Sequence, residues 1–241
     1  MWLDIKDLQA FYNSPLGLMA NGIIGHHIRE IWPDVRNLNI LGLGYSTPYL
    51  NMFHHEASNV IAAMPASQGV ALWPEIGPGR TILTDEAELP IDDLSIDRVI
   101  LIHGVECSES IRPMMREIWR VLSNNGRLII IAPNRRGLWA RLERTPFGYG
   151  RPYSQSQLTK LLRGTLFTPL KTSAVLHMPP TRYRFLIQSS SVWEKFGRFF
   201  LDGLGIAIGG VIAIEAKKQV YAMTPNMNIS QGRGYITVPN Q

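Results

Sequence analysis

The 241-residue sequence predicts an α/β domain built on a mostly parallel central sheet flanked by helices, with an antiparallel strand closing one edge. Three observations predict it. Short apolar runs recur along the chain, each bounded by Gly, Pro, Asn or Asp, as buried strands require. Stretches with helical spacing lie between several of them, the crossovers that parallel pairing needs. In a late segment, GGVIAIEAKKQVY from Gly209 to Tyr221, the apolar half reads as the closing strand, its end marked by lysines.

Each element follows from local chemistry. From Ile5 to Trp32, Leu8, Phe11, Tyr12, Leu16, Met19, Ile23, Ile24, Ile28 and Ile31 recur at helical spacing. Ser14-Pro15 interrupts them where a second helix can start, so two helices are predicted. Strands are predicted at Leu38 to Leu43, Asn59 to Ala63, Thr81 to Leu83, Asp97 to Ile102 and Arg127 to Ala132, and helices at Tyr49 to Ala57 and Ile111 to Leu122. An Arg-, Gly- and Pro-rich piece, residues 133–153, then interrupts the alternation. A helix at Gln155 to Arg163, a strand at Thr168 to Leu176 and a helix around Val192 to Asp202 precede the closing strand. The expected organisation is a helical lead-in over 1–36, one domain over 37–222 and a polar, aperiodic tail over 223–241.

With 45% hydrophobic and 18% charged residues, the chain can bury one sizeable core. Its net charge of +5 tilts it towards anionic partners without requiring nucleic acid. Cys107 is the single cysteine, which excludes an intrachain disulfide and cysteine-based zinc clusters and suits a reducing cytoplasm. MWLDIKDLQAFYNS carries acids among its apolar residues, unlike a secretion signal. Leu204 to Ile214 is about half the length of a membrane span, so none is expected.

Ligands of open parallel sheets bind beyond the carboxyl ends of the strands. After the first strand, in ILGLGYSTPYL, Gly42 and Gly44 allow a tight turn and close backbone approach. The later junctions read TDEAELP, IDDLSIDRVILIHGVE and REIWRVLSNNGRLIIIAPN. In this order the four blocks resemble class I S-adenosylmethionine-dependent methyltransferases with a methyltransferase-11-type domain, a resemblance that covers roughly Asn37 to Leu176. The resemblance implies a Rossmann-like fold, S-adenosylmethionine as cofactor and methyl transfer to an unidentified acceptor. It places the cofactor at Gly42, Gly44, Ser46, Met64, Asp85, Glu86, His103 and Gly104. Asp85, or Glu86 in the alternative register, would accept from the adenine amine. His103 is the candidate base, since its ordinary pKa lies near neutrality.

The chain departs from the family pattern at two points. The usual D/E-x-G-x-G-x-G loop loses its leading acid and, after Gly42 and Gly44, has Ser46 for its last glycine and Pro48 two residues on. Where an acid commonly holds both ribose hydroxyls, VIAAMPASQGV places Met64 and Pro65, and a thioether accepts weakly. Ser46, Thr47 and Gln68 could supply neutral hydrogen bonds instead.

Arg135, Arg136, Trp139, Arg141, Arg144, Arg151 and Tyr153 form the candidate surface for substrate or partner, where guanidinium groups and aromatics suit an acidic ligand, a partner protein or nucleic acid. The adjacent pairs His26-His27 and His54-His55 do not share a face, so no metal site is expected. Trp73 reads as a packed aromatic or a wall of the crevice. Three functions stay open: a methyltransferase, a noncatalytic protein on the same fold that binds or assembles, and a nucleic-acid-binding or modifying protein.

Overall fold

The structure is a computed structural model that describes residues 3–180 and 209–220. The helix expected around Val192 to Asp202 and the tail over 223–241 lie outside the described residues.

Helix α1 (Ile5–Tyr12) starts at Asp4, whose carboxylate accepts from the Lys6 amide. Helix α2 (Pro15–Ile31) starts at Ser14, whose hydroxyl accepts from the Gly17 amide at 3.1 Å, and Pro15 takes a first-turn position where its missing N–H costs nothing. The break thus falls at Ser14-Pro15.

Seven strands follow: β1 (Asn39–Gly44), β2 (Asn59–Pro65), β3 (Thr81–Thr84), β4 (Ile96–Ile102), β5 (Leu122–Pro133), β6 (Phe167–Val175) and β7 (Val211–Lys218). They form one sheet in the order β3-β2-β1-β4-β5-β7-β6. Strands β1 to β5 pair in parallel, and β7 runs antiparallel to both β5 and β6. The order reverses between β1 and β4, so a crevice opens beyond their carboxyl ends.

Alternate residues serve opposite faces, as the period of a strand dictates. Ile40, Val60, Ile100 and Ile129 share one core with Leu8 of α1 and with Ile24 and Ile28 of α2. Leu41, Leu43, Val99, Leu101, Leu128 and Ile130 share the other with Met114 and Ile118 of α4 (Ile111–Val121) and with Leu158 and Leu162 of α5 (Gln155–Arg163). Burial on both faces explains why the central strands read as unbroken apolar runs.

The Tyr49 to Ala57 helix forms only one turn, α3 (Thr47–Leu50), before the chain continues in turns. Arg29 of α2 donates to the Met52 carbonyl at 2.8 Å, and Glu56 N–H bonds to the Phe53 carbonyl rather than to Met52. The Glu56 carboxylate is itself drawn to the Val35 amide and Arg29. Contacts with α2 have replaced the helical ladder. Strand β5 also begins five residues before the predicted start, because Leu122 at the end of α4 already pairs with Ile96.

Residues 133–153 leave the sheet and return beside it. Arg135 N–H donates to the Tyr153 carbonyl at 2.8 Å, and Tyr153 N–H to the Pro133 carbonyl at 2.9 Å. Two single-turn 3-10 helices, Trp139–Arg141 and Pro146–Gly148, shape the excursion. Among the described residues, no helix is long and apolar enough to cross a membrane.

Candidate functional site

The end of β1 turns across β4. Tyr45 N–H donates to the Ile102 carbonyl at 2.9 Å, and Gly44 adopts φ +76°, where a Cβ would overlap that carbonyl. Only glycine permits both. A Cβ on Gly42 would overlap the Ser46 side chain, which folds back over it. Ser46 is fully buried, and among the described residues its hydroxyl has no partner.

Beyond β2, Met64 is fully buried, and its sulfur faces the Ala71 amide at 3.3 Å. Gln68 follows it in the same loop. Its carbonyl accepts from Ile5 N–H at 3.0 Å at the start of α1, while both amide atoms of its buried side chain lack partners among the described residues.

Beyond β3 the two acids separate. Asp85 is exposed and accepts from the Ala87 amide at 2.8 Å, capping its own turn. Glu86 is buried, and its Oε1 accepts from the Ser108 hydroxyl at 2.6 Å and the Ser110 amide at 3.3 Å. Its Oε2 has no partner among the described residues.

His103 ends β4 with φ +52° and is almost wholly buried, as is Gly104 beside it. A side chain held in that region is uncommon, though histidine tolerates it better than most. Its Nδ1 lies 3.1 Å from Glu106 Oε1, and its Nε2 lies 2.8 Å from the Tyr12 hydroxyl of α1. A carboxylate oxygen only accepts, so Nδ1 carries the proton and Nε2 accepts from Tyr12. Tyr12 also meets the Tyr49 hydroxyl at 2.9 Å, completing a buried chain Glu106–His103–Tyr12–Tyr49.

Burial, then the neighbouring Tyr49, holds the Tyr12 hydroxyl well above the usual tyrosine range. Burial also raises Tyr49 and Tyr45. These hydroxyls therefore stay protonated and able to donate. Phe147, from the Arg-rich excursion, packs on the His103 ring at 4.8 Å between centroids, and Tyr45 lies 5.4 Å from Tyr12. The Glu106 Oε2 atom lacks a partner among the described residues.

In the excursion, Arg135, Arg136, Arg141, Arg144 and Arg151 are exposed. Trp139 is buried instead, its indole N–H donating to the Met178 carbonyl at 2.7 Å. Tyr153 is half-buried, its hydroxyl 3.4 Å from the Val105 carbonyl. Arg151 N–H donates to the Glu106 carbonyl at 2.8 Å, tying the excursion to the loop after β4. Trp73 packs against His54 and donates to Asn51 at 2.7 Å. Both histidines of the first pair approach Glu30, and His27 also meets the Ser173 hydroxyl at 2.6 Å. Among the described residues, no three His, Cys, Asp or Glu side chains gather as a metal site would require.

The structure brings together Ser46, Glu86, His103 and the backbone at Gly42, Gly44 and Gly104 as groups buried at or beside the tips of β1, β3 and β4, whereas Asp85 and the five arginines face solvent. Tyr12 was missed by the sequence reading as a site residue. Its position in the apolar stripe of α1 marks it as core, and nothing local points to a partner 91 residues away.

Residues 40–130 match a family described as a methyltransferase domain. No curated protein matches the chain in sequence. Among solved structures, an S-adenosylmethionine-dependent methyltransferase from Thermotoga maritima, described as a possible histamine N-methyltransferase, is 13% identical with a TM-score of 0.61, over 89% of this chain and 96% of that one. One from Archaeoglobus fulgidus is 16% identical with a TM-score of 0.57, over 89% and 100%. The geranyl diphosphate C-methyltransferase of Streptomyces coelicolor, bound to S-adenosyl-L-homocysteine, is 13% identical with a TM-score of 0.56, over 80% and 74%. At these identities the likeness is one of fold.

Proposed function

From the match of residues 40–130 to a methyltransferase domain, we propose that the chain is a class I, S-adenosylmethionine-dependent methyltransferase that moves a methyl group from this cofactor to an acceptor held at the strand tips. One observation carries the proposal. Each of the first four strands is followed by a buried polar group with an unsatisfied atom: the Ser46 hydroxyl, the Gln68 amide, Glu86 Oε2 and Glu106 Oε2. Leaving such groups unpaired costs about 1–3 kcal/mol each, so four in succession at one end of a sheet suit a polar ligand.

Their chemistry fits the cofactor. The Gln68 amide both donates and accepts, as a ribose diol does, and stands in for the acid absent at Met64. Glu86 supplies a carboxylate oxygen for the adenine amine. Gly42 and Gly44 keep side chains away from the turn after β1. The cofactor supplies a methyl group already activated on a sulfonium, so the chain's own work is to bind, align and exclude water. His103 is the group suited to hold a proton at Nε2, with Glu106 fixing the ring from the other side. The exposed arginines of the excursion would meet an anionic part of the acceptor.

The buried cover of Tyr12, Tyr45 and Phe147 over His103 favours a second reading, a noncatalytic protein on this fold that uses its surface for assembly. Calorimetric titration with S-adenosylmethionine and S-adenosylhomocysteine separates the two. Saturable binding, weakened about three- to tenfold in Gln68→Ala by loss of a neutral hydrogen bond, supports the first reading. No heat and no thermal shift at millimolar ligand would sink it and leave the second.

A further inference from the structure

We propose that the face formed by α4 and α5 binds a single-stranded nucleic acid, its phosphates tracked by arginine and lysine and one base seated beside Trp119. This inference stands apart from the methyl-transfer reading. Two concavities meet on that face. One, of about 840 Å³, runs from Arg136 beyond β5 along α5 past Lys160 and Arg163 to Gly164. The other, of about 430 Å³, lies between Arg112, Arg116 and Trp119 of α4 and the turn Gly164 to Leu166. Gly164 belongs to both, and a Cβ there would sit 3.9 Å from Arg112 Nη1, so Arg112 reaches the junction.

The charge lining the two concavities is of one sign. Arg112, Arg116, Arg136, Lys160 and Arg163 are all exposed, and no Asp or Glu lines either concavity. Among the described residues none of the five forms an ion pair or side-chain hydrogen bond, unlike Arg29, Arg36, Arg120 and Arg127, which all pair with acids. Helix dipoles account for part of the pattern only. Lys160 and Arg163 suit the last turn of α5, but Arg112 stands in the first turn of α4, where the dipole disfavours a cation.

The shape selects the partner. A lipid surface is met by convex patches, whereas these cations border a groove. Ser154, Ser156 and Thr159 add hydroxyl donors to the larger concavity, suited to phosphate oxygens. The smaller one is lined by Trp119, Leu166, Arg112 and Arg116, a set that suits a flat base better than an acidic side chain, the base taking the indole face that Lys218 Nζ, 3.9 Å from the ring centroid, leaves free.

The test is fluorescence anisotropy of the full chain with a labelled twelve-nucleotide uridine RNA across rising KCl. Saturable binding is expected, with affinity falling by a log–log slope of about −0.7 per phosphate contacted, or about −3 for four contacts. The double variant Arg112→Ala/Arg163→Ala removes two exposed, unpaired cations and should weaken binding at least tenfold while flattening the slope by about 1.4. Lys6→Ala, on the opposite side of the sheet, should match the parent. Three results would overturn the proposal: no binding at 50 mM KCl, an unchanged slope in the double variant, or tighter association with phosphatidylserine vesicles or polyglutamate than with the RNA.

Discussion

Tyr12 is the residue on which the candidate site closes. Its hydroxyl satisfies His103 Nε2 and Tyr49 in a place that water does not reach, so Tyr12→Phe leaves two buried groups short of a partner. A loss of about 1–3 kcal/mol in urea unfolding is expected, and a change under about 0.5 kcal/mol would mean the hydroxyl chain contributes nothing. Cys107 gives a second residue-level prediction. Burial, reinforced by the nearby Glu106 charge, pushes its thiol up to about 12, so the native chain presents a neutral thiol at pH 8 and should resist thiol reagents until unfolded. Because the folded pKa lies above the unfolded one, its contribution is intact below about pH 8.5 and declines as pH rises towards 12. Unfolding at pH 8 and pH 10.5 should therefore cost the parent more stability than Cys107→Ser, and equal losses would refute the assignment. His103 could be singled out from its place after an apolar run. Its partners could not, because a hydrogen bond between distant segments leaves no mark in either. The choice between Asp85 and Glu86 was likewise open in the sequence, since neighbouring residues share one motif. Burial resolved which of them faces inward.

At the scale of elements, the strands were legible because both sheet faces are covered, which turns each strand into an apolar run. The helices were legible where their caps are strong, as at Ser14-Pro15 and Ser154, whose capping box with Gln157 starts α5. Ser14→Ala should cost about 0.5–2 kcal/mol by freeing the Gly17 amide, measurable by the same unfolding assay. What misled was the stretch after α3, where Arg29 and Glu56 bind backbone groups across elements and outweigh local propensity. The Arg-rich excursion shows the converse, since Trp139, expected at a partner surface, instead anchors it together with Phe147. Trp139 packs on Gly210 at the start of β7 and lies 5.6 Å from Phe147 between ring centroids. A methyl group at Gly210 would overlap the indole, so Gly210→Ala should destabilise by about 1–3 kcal/mol and shift tryptophan emission. Unchanged stability and emission would show that the excursion gives way without strain.

Across the whole molecule, the strand order places the polar groups of β1 to β4 at one end of the sheet, and α1 lies over that end. Its first residue hydrogen-bonds the Gln68 carbonyl and its last bonds His103, so one short helix touches the loops after β2 and β4. The four groups with unsatisfied atoms are buried, and α1 is bonded to the loops that carry Gln68 and Glu106, so its displacement is the step expected to open the way to a cofactor. If only the open form binds, the apparent affinity is the intrinsic one scaled by the open fraction. Weakening the latch then has opposite effects on folding and on binding. Tyr12→Phe, which should lower stability, is expected to tighten S-adenosylhomocysteine binding about tenfold for each 1.4 kcal/mol taken from the closed form, and to raise the association rate. Stopped-flow mixing alongside calorimetry measures both quantities on the same protein. Weaker binding in the variant would place the Tyr12 hydroxyl in contact with the ligand in the bound state. Equal binding would mean that the cofactor reaches the strand tips without displacing α1, and the latch would then be a feature of the fold alone.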